Sequence, residues 1–141
     1  MLGDVVVELH AASSARDTDF TANILDVFPD GKAVMLGSRN AGVVRARYRN
    51  GYDREELLTP GAVAPYRIEL FGIGHTFLPG HQVRIDVSSS AYPAFSANPN
   101  TGNPIATDTA EPIVAQQKIF HDRAHASRVL LPVLPEAMFK P

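Results

Sequence analysis

The sequence predicts an all-β protein, a two-layer sandwich of jelly-roll type, and three observations carry that prediction. Side chains alternate with a period of two through most apolar stretches. Eleven prolines and ten glycines punctuate nearly every candidate element and leave little room for long helices. The turns between apolar runs are short and Pro/Gly-rich, the pattern of antiparallel strands rather than of strands alternating with helices.

The elements follow in order. "DVVVELHAA" sets Val5, Val7, Leu9 and Ala11 on one side and Val6, Glu8 and His10 on the other. "TDFTANILDVF" alternates Phe20, Ala22 and Ile24 against Thr21 and Asn23, and a bulge near Leu25 would return Val27 to the buried side. "PDG" at 29–31 is a turn signal, so residues 18–36 read as a β-hairpin. "GVVRARYRNGYDREELL" fits either a short helical turn or a bent strand, closed by "TPG". "APYRIELFGIGHTF" puts Tyr66, Ile68 and Leu70 on one face and Arg67 and Glu69 on the other. "HQVRIDVSSS" is the clearest strand, with Val83, Ile85, Val87 and Ser89 opposite Arg84, Asp86 and Ser88. A long Pro/Asn/Thr-rich connection covers 91–112, and loops of that length are often functional or packed on themselves. "IVAQQKIFH" and "SRVLLPVLP" supply two last strands.

A chain of 141 residues suits one domain spanning 1–141. With 13 basic and 15 acidic residues spread along it, no block is built for nucleic acid or anionic lipid. No apolar run approaches the roughly 18 residues of a membrane span. Zero cysteines exclude disulfides and thiolate metal sites and fit a cytoplasmic location. Neither a cofactor, a nucleic-acid partner nor a membrane partner is expected.

The stretch 81–90 holds His81, Asp86 and three serines, the ingredients of a hydrolase triad. Period two separates them. Asp86 and Ser88 share a face, whereas Ser89 and His81 point the other way, and no G-x-S-x-G occurs in the chain. The stretch reads as a core strand entering a shaped loop. Asp17 and Asp19 in "DTDF" could ligate calcium, but no EF-hand spacing follows, and pairing with arginine is the better reading. Arg45, Arg47 and Arg49 share a face if extended, and Arg47 with Asp19 is the expected buried pair. His121 and His125 have a zinc-like i,i+4 spacing without H-E-x-x-H.

Several pieces in this order carry a resemblance: D-T-D-F at 17–20, Gly80-His81 opening a strand, Ser89-Ser90 ahead of Pro93, and N-P-N-T-G at 98–102. Together they resemble the C-terminal non-catalytic domain of X-Pro dipeptidyl-peptidase and cocaine-esterase-like (CocE/NonD) serine hydrolases, from about Asp4 to Pro135. The resemblance implies a galactose-binding-like jelly roll packed on an α/β-hydrolase domain that carries the catalytic residues upstream, so no catalytic residue falls in this chain. Asp17, Asp19, Arg47, His81, Ser89, Asn98 and Asn100 become structural motif positions, and Tyr92 and Phe95 candidate contacts to a cleft or partner. Family members carry opening jelly-roll strands before the segment resembling residues 1–12. The sandwich is therefore expected to be incomplete on its N-terminal side. Residues 1–12 and the inner face of 81–90 would then need a partner, either the catalytic domain or a second copy. Two other functions compete: a carbohydrate-binding module using Tyr48, Tyr52, Tyr92 or Phe95, and an enzyme in its own right, which the missing nucleophile motif disfavours.

Overall fold

The computed structural model describes residues 1–37 and 42–135. They form eight strands and two short 3-10 turns. Strand β1 (Leu2–Ser13) is the spine of one sheet, with β5 (Ala64–Gly74) along one edge. Along its other edge lie β7 (Gln117–Ile119) and β8 (Arg128–Leu130), at different heights. Strand β2 (Asp19–Val27) is the spine of the second sheet, with β6 (Gln82–Ser88) on one side. On its other side lie β3 (Ala33–Met35) and β4 (Gly42–Arg45). All pairings are antiparallel, and the two sheets stack as the predicted sandwich. No helix among the described residues is long and apolar enough to cross a membrane.

The alternation becomes the core directly. Val5, Val7, Leu9 and Ala11 of β1 meet Phe20, Ala22 and Ile24 of β2 and Tyr66, Ile68 and Leu70 of β5, all buried. Burying each large aliphatic side chain contributes about 1.5–3 kcal/mol, so this inner face dominates stability. Ile73 rejoins that face because the β1–β5 register shifts by one residue opposite Gly3 and Val5. The sheets come close where β4 crosses β5. A Cβ on Gly42 would stand 2.7 Å from the Glu69 carbonyl oxygen and 2.7 Å from Ile68 Cγ2, so only glycine fits there.

Two expectations are corrected and one left open is decided. No bulge occurs at Leu25: β2 stays in register with β6 from Thr21 to Val27, and the buried position after Ile24 is filled by Asp26. Residues 1–12 do not await a partner strand, because β1 is flanked on both sides and the Met1 amino group donates to the His75 carbonyl at 2.9 Å. The ambiguous stretch after Gly42 is neither bent strand nor helix alone. Strand β4 ends at Arg45 and a 3-10 turn, Ala46–Tyr48, follows. The hairpin at "PDG" forms as read, with Gly31 at φ +88° and its N–H donating to the Phe28 carbonyl at 2.9 Å.

Candidate functional site

The chain turns from β1 into β2 through Asp17 and Thr18, both fully buried. Carboxylates at such depth persist only if donors surround them. Those donors come from the segment that follows β4. The Arg47 backbone N–H donates to Asp17 Oδ1 at 3.0 Å and its Nε to Asp17 Oδ2 at 2.8 Å. Arg45 grips Asp19 with both prongs, Nε to Oδ1 and a terminal nitrogen to Oδ2, each at 3.0 Å. That fork holds the Arg45 guanidinium above its ordinary pKa, despite opposition from burial.

The expected pairing of Arg47 with Asp19 is therefore wrong by one partner: Arg47 takes Asp17 and Arg45 takes Asp19. The cause is the 3-10 turn. An extended chain would aim residues 45, 47 and 49 along one face. The turn instead rotates Arg47 inward, leaving it 2% exposed, and sends Arg49 to Glu56 at 3.4 Å.

The clasp also holds the long connection. Asn98 Nδ2 bridges the two carboxylates, 3.0 Å from Asp17 Oδ2 and 2.8 Å from Asp19 Oδ1. Its own side-chain oxygen accepts the Asn100 N–H at 2.9 Å, an Asx turn that suits the φ of +64° at Asn100. Asn100 Nδ2 donates to the Ile113 carbonyl at 2.8 Å, tying the middle of the loop to the residue just past its end. Arg47 reaches the Asn103 carbonyl at 2.7 Å and Glu55 at 3.2 Å. Farther along, Asp108 accepts from Thr101, Asn103 and the Ala110 N–H, and these bonds, the Thr101 hydroxyl first, hold its pKa below the usual carboxylate range.

Asp17, Asp19, Arg47, Asn98 and Asn100, chosen from the sequence, thus converge in one place. His81 does not join them. Its Nδ1 lies 2.8 Å from Asp26 Oδ1, while His75 Nε2 approaches Asp26 Oδ2 at 2.9 Å, and the Phe28 ring packs against His81 with centroids 4.4 Å apart. Burial would raise the Asp26 pKa, but the two imidazole hydrogen bonds and their charge outweigh it, and the net direction is down. The sequence reading missed Asp26 and His75 as its second partner, and it named Arg45 without giving it Asp19. Asp26 was legible as the next even step after Ile24, a polar residue at a core position.

Ser89 is exposed just past the end of β6, at the opposite end of the strand from His81, and Asp86 pairs with Arg84 at 2.6 Å. The three-residue arrangement suggested by 81–90 is not assembled. Of the loop aromatics, Tyr92 is 75% exposed, donates its N–H to Ser90 Oγ at 3.3 Å and is joined to Pro93 by a cis peptide bond, whereas Phe95 is half-buried. Chemically the clasp is a fastener. The oxygens of Asp17 and Asp19 already accept from arginine and asparagine donors, which leaves the pair poorly disposed to act as base or nucleophile. His125 pairs with Asp122 at 3.2 Å rather than with His121.

The described residues thus form an antiparallel β-sandwich across which a buried acid–arginine clasp fastens one long loop. The sequence pattern of the X-Pro dipeptidyl-peptidase C-terminal non-catalytic domain matches residues 1–130, and the chain belongs to that family. Among curated proteins it is 39% identical over 133 residues to the cocaine esterase of Rhodococcus sp. (strain MB1 Bresler), a match covering 94% of this chain and 23% of that protein. It is 25% identical over 146 residues to a putative serine esterase of Mycobacterium tuberculosis (strain CDC 1551), covering 94% of this chain and 21% of the relative. Among solved structures, an alpha-amino acid ester hydrolase superposes with a TM-score of 0.84 at 27% identity, covering 94% of this chain and 24% of the other. An aminopeptidase from a marine sediment Thaumarchaeota archaeon gives 0.82 at 33% identity, covering 91% and 22%. The chain thus spans less than a quarter of the length of each of these relatives.

Proposed function

We propose that this chain works as the accessory β-sandwich of a serine hydrolase acting on esters or amides, buttressing an α/β catalytic domain and helping to wall its substrate cleft. The observation that carries the reading is the clasped loop. Asn98 is pinned by Asp17 and Asp19, which Arg47 and Arg45 hold, while Tyr92, beside the loop's start, faces the outside. A loop pinned from within and bearing an exposed aromatic suits contact with a neighbouring domain, because little further ordering is needed on docking. The relatives' names, cocaine esterase, serine esterase, alpha-amino acid ester hydrolase and aminopeptidase, support acyl-transfer chemistry in the assembled protein.

The test is a chimera in which this chain replaces the matching C-terminal stretch of the Rhodococcus cocaine esterase. Ester hydrolysis by the chimera is the expected outcome, with Tyr92→Ala altering KM more than kcat. The isolated chain should resist labelling by a serine-directed fluorophosphonate. Labelling of one of its own serines would overturn the accessory role.

A further inference from the structure

The flank where β4 packs on β5 carries an open groove of about 600 Å³, within the range of small-ligand sites. Tyr48, Tyr52 and Phe71 reach it, whereas Tyr92 and Phe95 do not line it. Tyr52 is 86% exposed and Phe71 69%, and neither ring has work in the core or the clasp. The two tyrosines are braced. Their ring centroids lie 5.6 Å apart, and the Tyr48 hydroxyl donates to Glu55 Oε1 at 2.6 Å. Glu55 in turn pairs with Arg47, so the buried clasp steadies the pair from behind. Tyr52 is thereby supported by Tyr48 while most of its ring stays in solvent.

The charges around the groove cancel. Arg49 and Arg67 stand against Asp4 and Glu69, and each arginine already has a carboxylate partner. Arg67 Nε donates to Glu69 Oε1 at 2.9 Å, and Arg49 lies 3.4 Å from Glu56. A phosphate or carboxylate ligand calls for surplus guanidinium, and an ammonium ligand for surplus carboxylate. The described residues lining the groove supply neither surplus. What they do supply is N–H donors beside oxygen acceptors, next to exposed aromatic rings. A neutral sugar uses both features. Its C–H faces lie on aromatic rings, and each hydroxyl donates to one group while accepting from another. We infer that the groove binds a neutral mono- or disaccharide, with Tyr52 and Phe71 as stacking surfaces and Arg67 and Glu69 as hydroxyl partners. The site stands apart from Tyr92 and the clasped loop, so it does not depend on the accessory role.

The test is a titration of the isotopically labelled chain with glucose, maltose, cellobiose and lactose, followed through its amide chemical shifts. Saturable shifts confined to residues 48–52 and 67–72 at millimolar sugar are the expected result. Tyr52→Ala and Phe71→Ala should each weaken binding by about tenfold, and Tyr52→Phe should keep it within about twofold, because the ring and not the hydroxyl makes the contact. Both rings are exposed, so the thermal melts of these variants should match the wild type and separate lost binding from lost folding. No saturable shift with any of the sugars overturns the inference, and so does binding that both alanine variants retain. Shifts gathered at Tyr92 and Phe95 move the site to the long loop and overturn it. Tighter binding of inorganic phosphate or tetramethylammonium at the same residues overturns the assignment to a neutral ligand. A response kept by the isolated chain but lost in the chimera described above means that the rest of the protein covers the groove, and overturns it as well.

Discussion

Asp17→Asn changes one atom and removes one charge, which makes it the sharpest probe of the clasp. In the wild type, Asp17 Oδ1 accepts the Arg47 N–H, and Oδ2 accepts both Arg47 Nε and Asn98 Nδ2. An asparagine must put its NH2 in one of those two places, where it faces a donor in either orientation. Arg47 would then be left 2% exposed with a cationic guanidinium and weakened compensation. Removing one partner of a buried pair costs about 3–5 kcal/mol. Glu55, 3.2 Å from Arg47 but half exposed, keeps part of the balance, which places the loss near the lower bound, about 3 kcal/mol. Total stability of such a domain is about 5–15 kcal/mol, and a protein of this size loses about 3–4 °C per kcal/mol, so the melting temperature should fall by roughly 10 °C. Urea and thermal melts followed by circular dichroism measure both quantities. The double variant Asp17→Asn/Arg47→Met, with the uncompensated charge gone, should recover at least half the loss. A single-variant cost below about 1 kcal/mol, the scale of a surface ion pair, would refute the account of the clasp.

Three further outcomes are expected. Asn98→Ala removes the bridge between the carboxylates and the Asx turn, at a cost of about 1–3 kcal/mol, and limited proteolysis should then cut within 91–112 faster than elsewhere. Tyr66→Phe should be neutral or stabilising, because the Tyr66 hydroxyl is buried without a partner while its ring still packs on Phe20 at 4.7 Å. Burial pushes the Tyr66 pKa up to about 12, above the ordinary 10, so the folded state favours the neutral phenol. Wild-type stability should decline as pH rises from 10 towards 12, and the variant should show less of that decline. Asp26 titrates below its ordinary 3.8, so the stabilisation it confers is complete above that value and is lost as pH falls through the folded pKa. The gap in melting temperature between wild type and Asp26→Asn should therefore be wide at pH 5 and narrow below pH 3.8; a gap that widens on acidification would reverse the assignment.

The clasp shows why a reading of residues succeeds at one scale and slips at the next. "DTDF" and "RARYR" announce buried acids and their arginines, because charges of opposite sign beside core strands have few other reasons to be there. Which arginine meets which aspartate depended on a single 3-10 turn at Ala46–Tyr48, a local rotation that period-two counting does not register. Asp26 illustrates the converse. The bulge expected near Leu25 would have turned residue 26 off the buried face; unbroken alternation keeps Asp26 there, and its partners, His75 and His81, lie 49 and 55 residues away, where only the folded chain brings them together.

Alternation along β1, β2, β5 and β6 determined by itself that this is an antiparallel sandwich and which faces turn inward, since side-chain direction in a strand is fixed by covalent geometry. The order of its motifs determined the family. Only the tertiary structure decided the partners of the buried charges, the anchoring of the 91–112 loop, and the groove that Tyr48, Tyr52 and Phe71 share. Those depend on contacts between residues distant in the chain, where a shift of one residue or one turn exchanges partners without altering the local pattern.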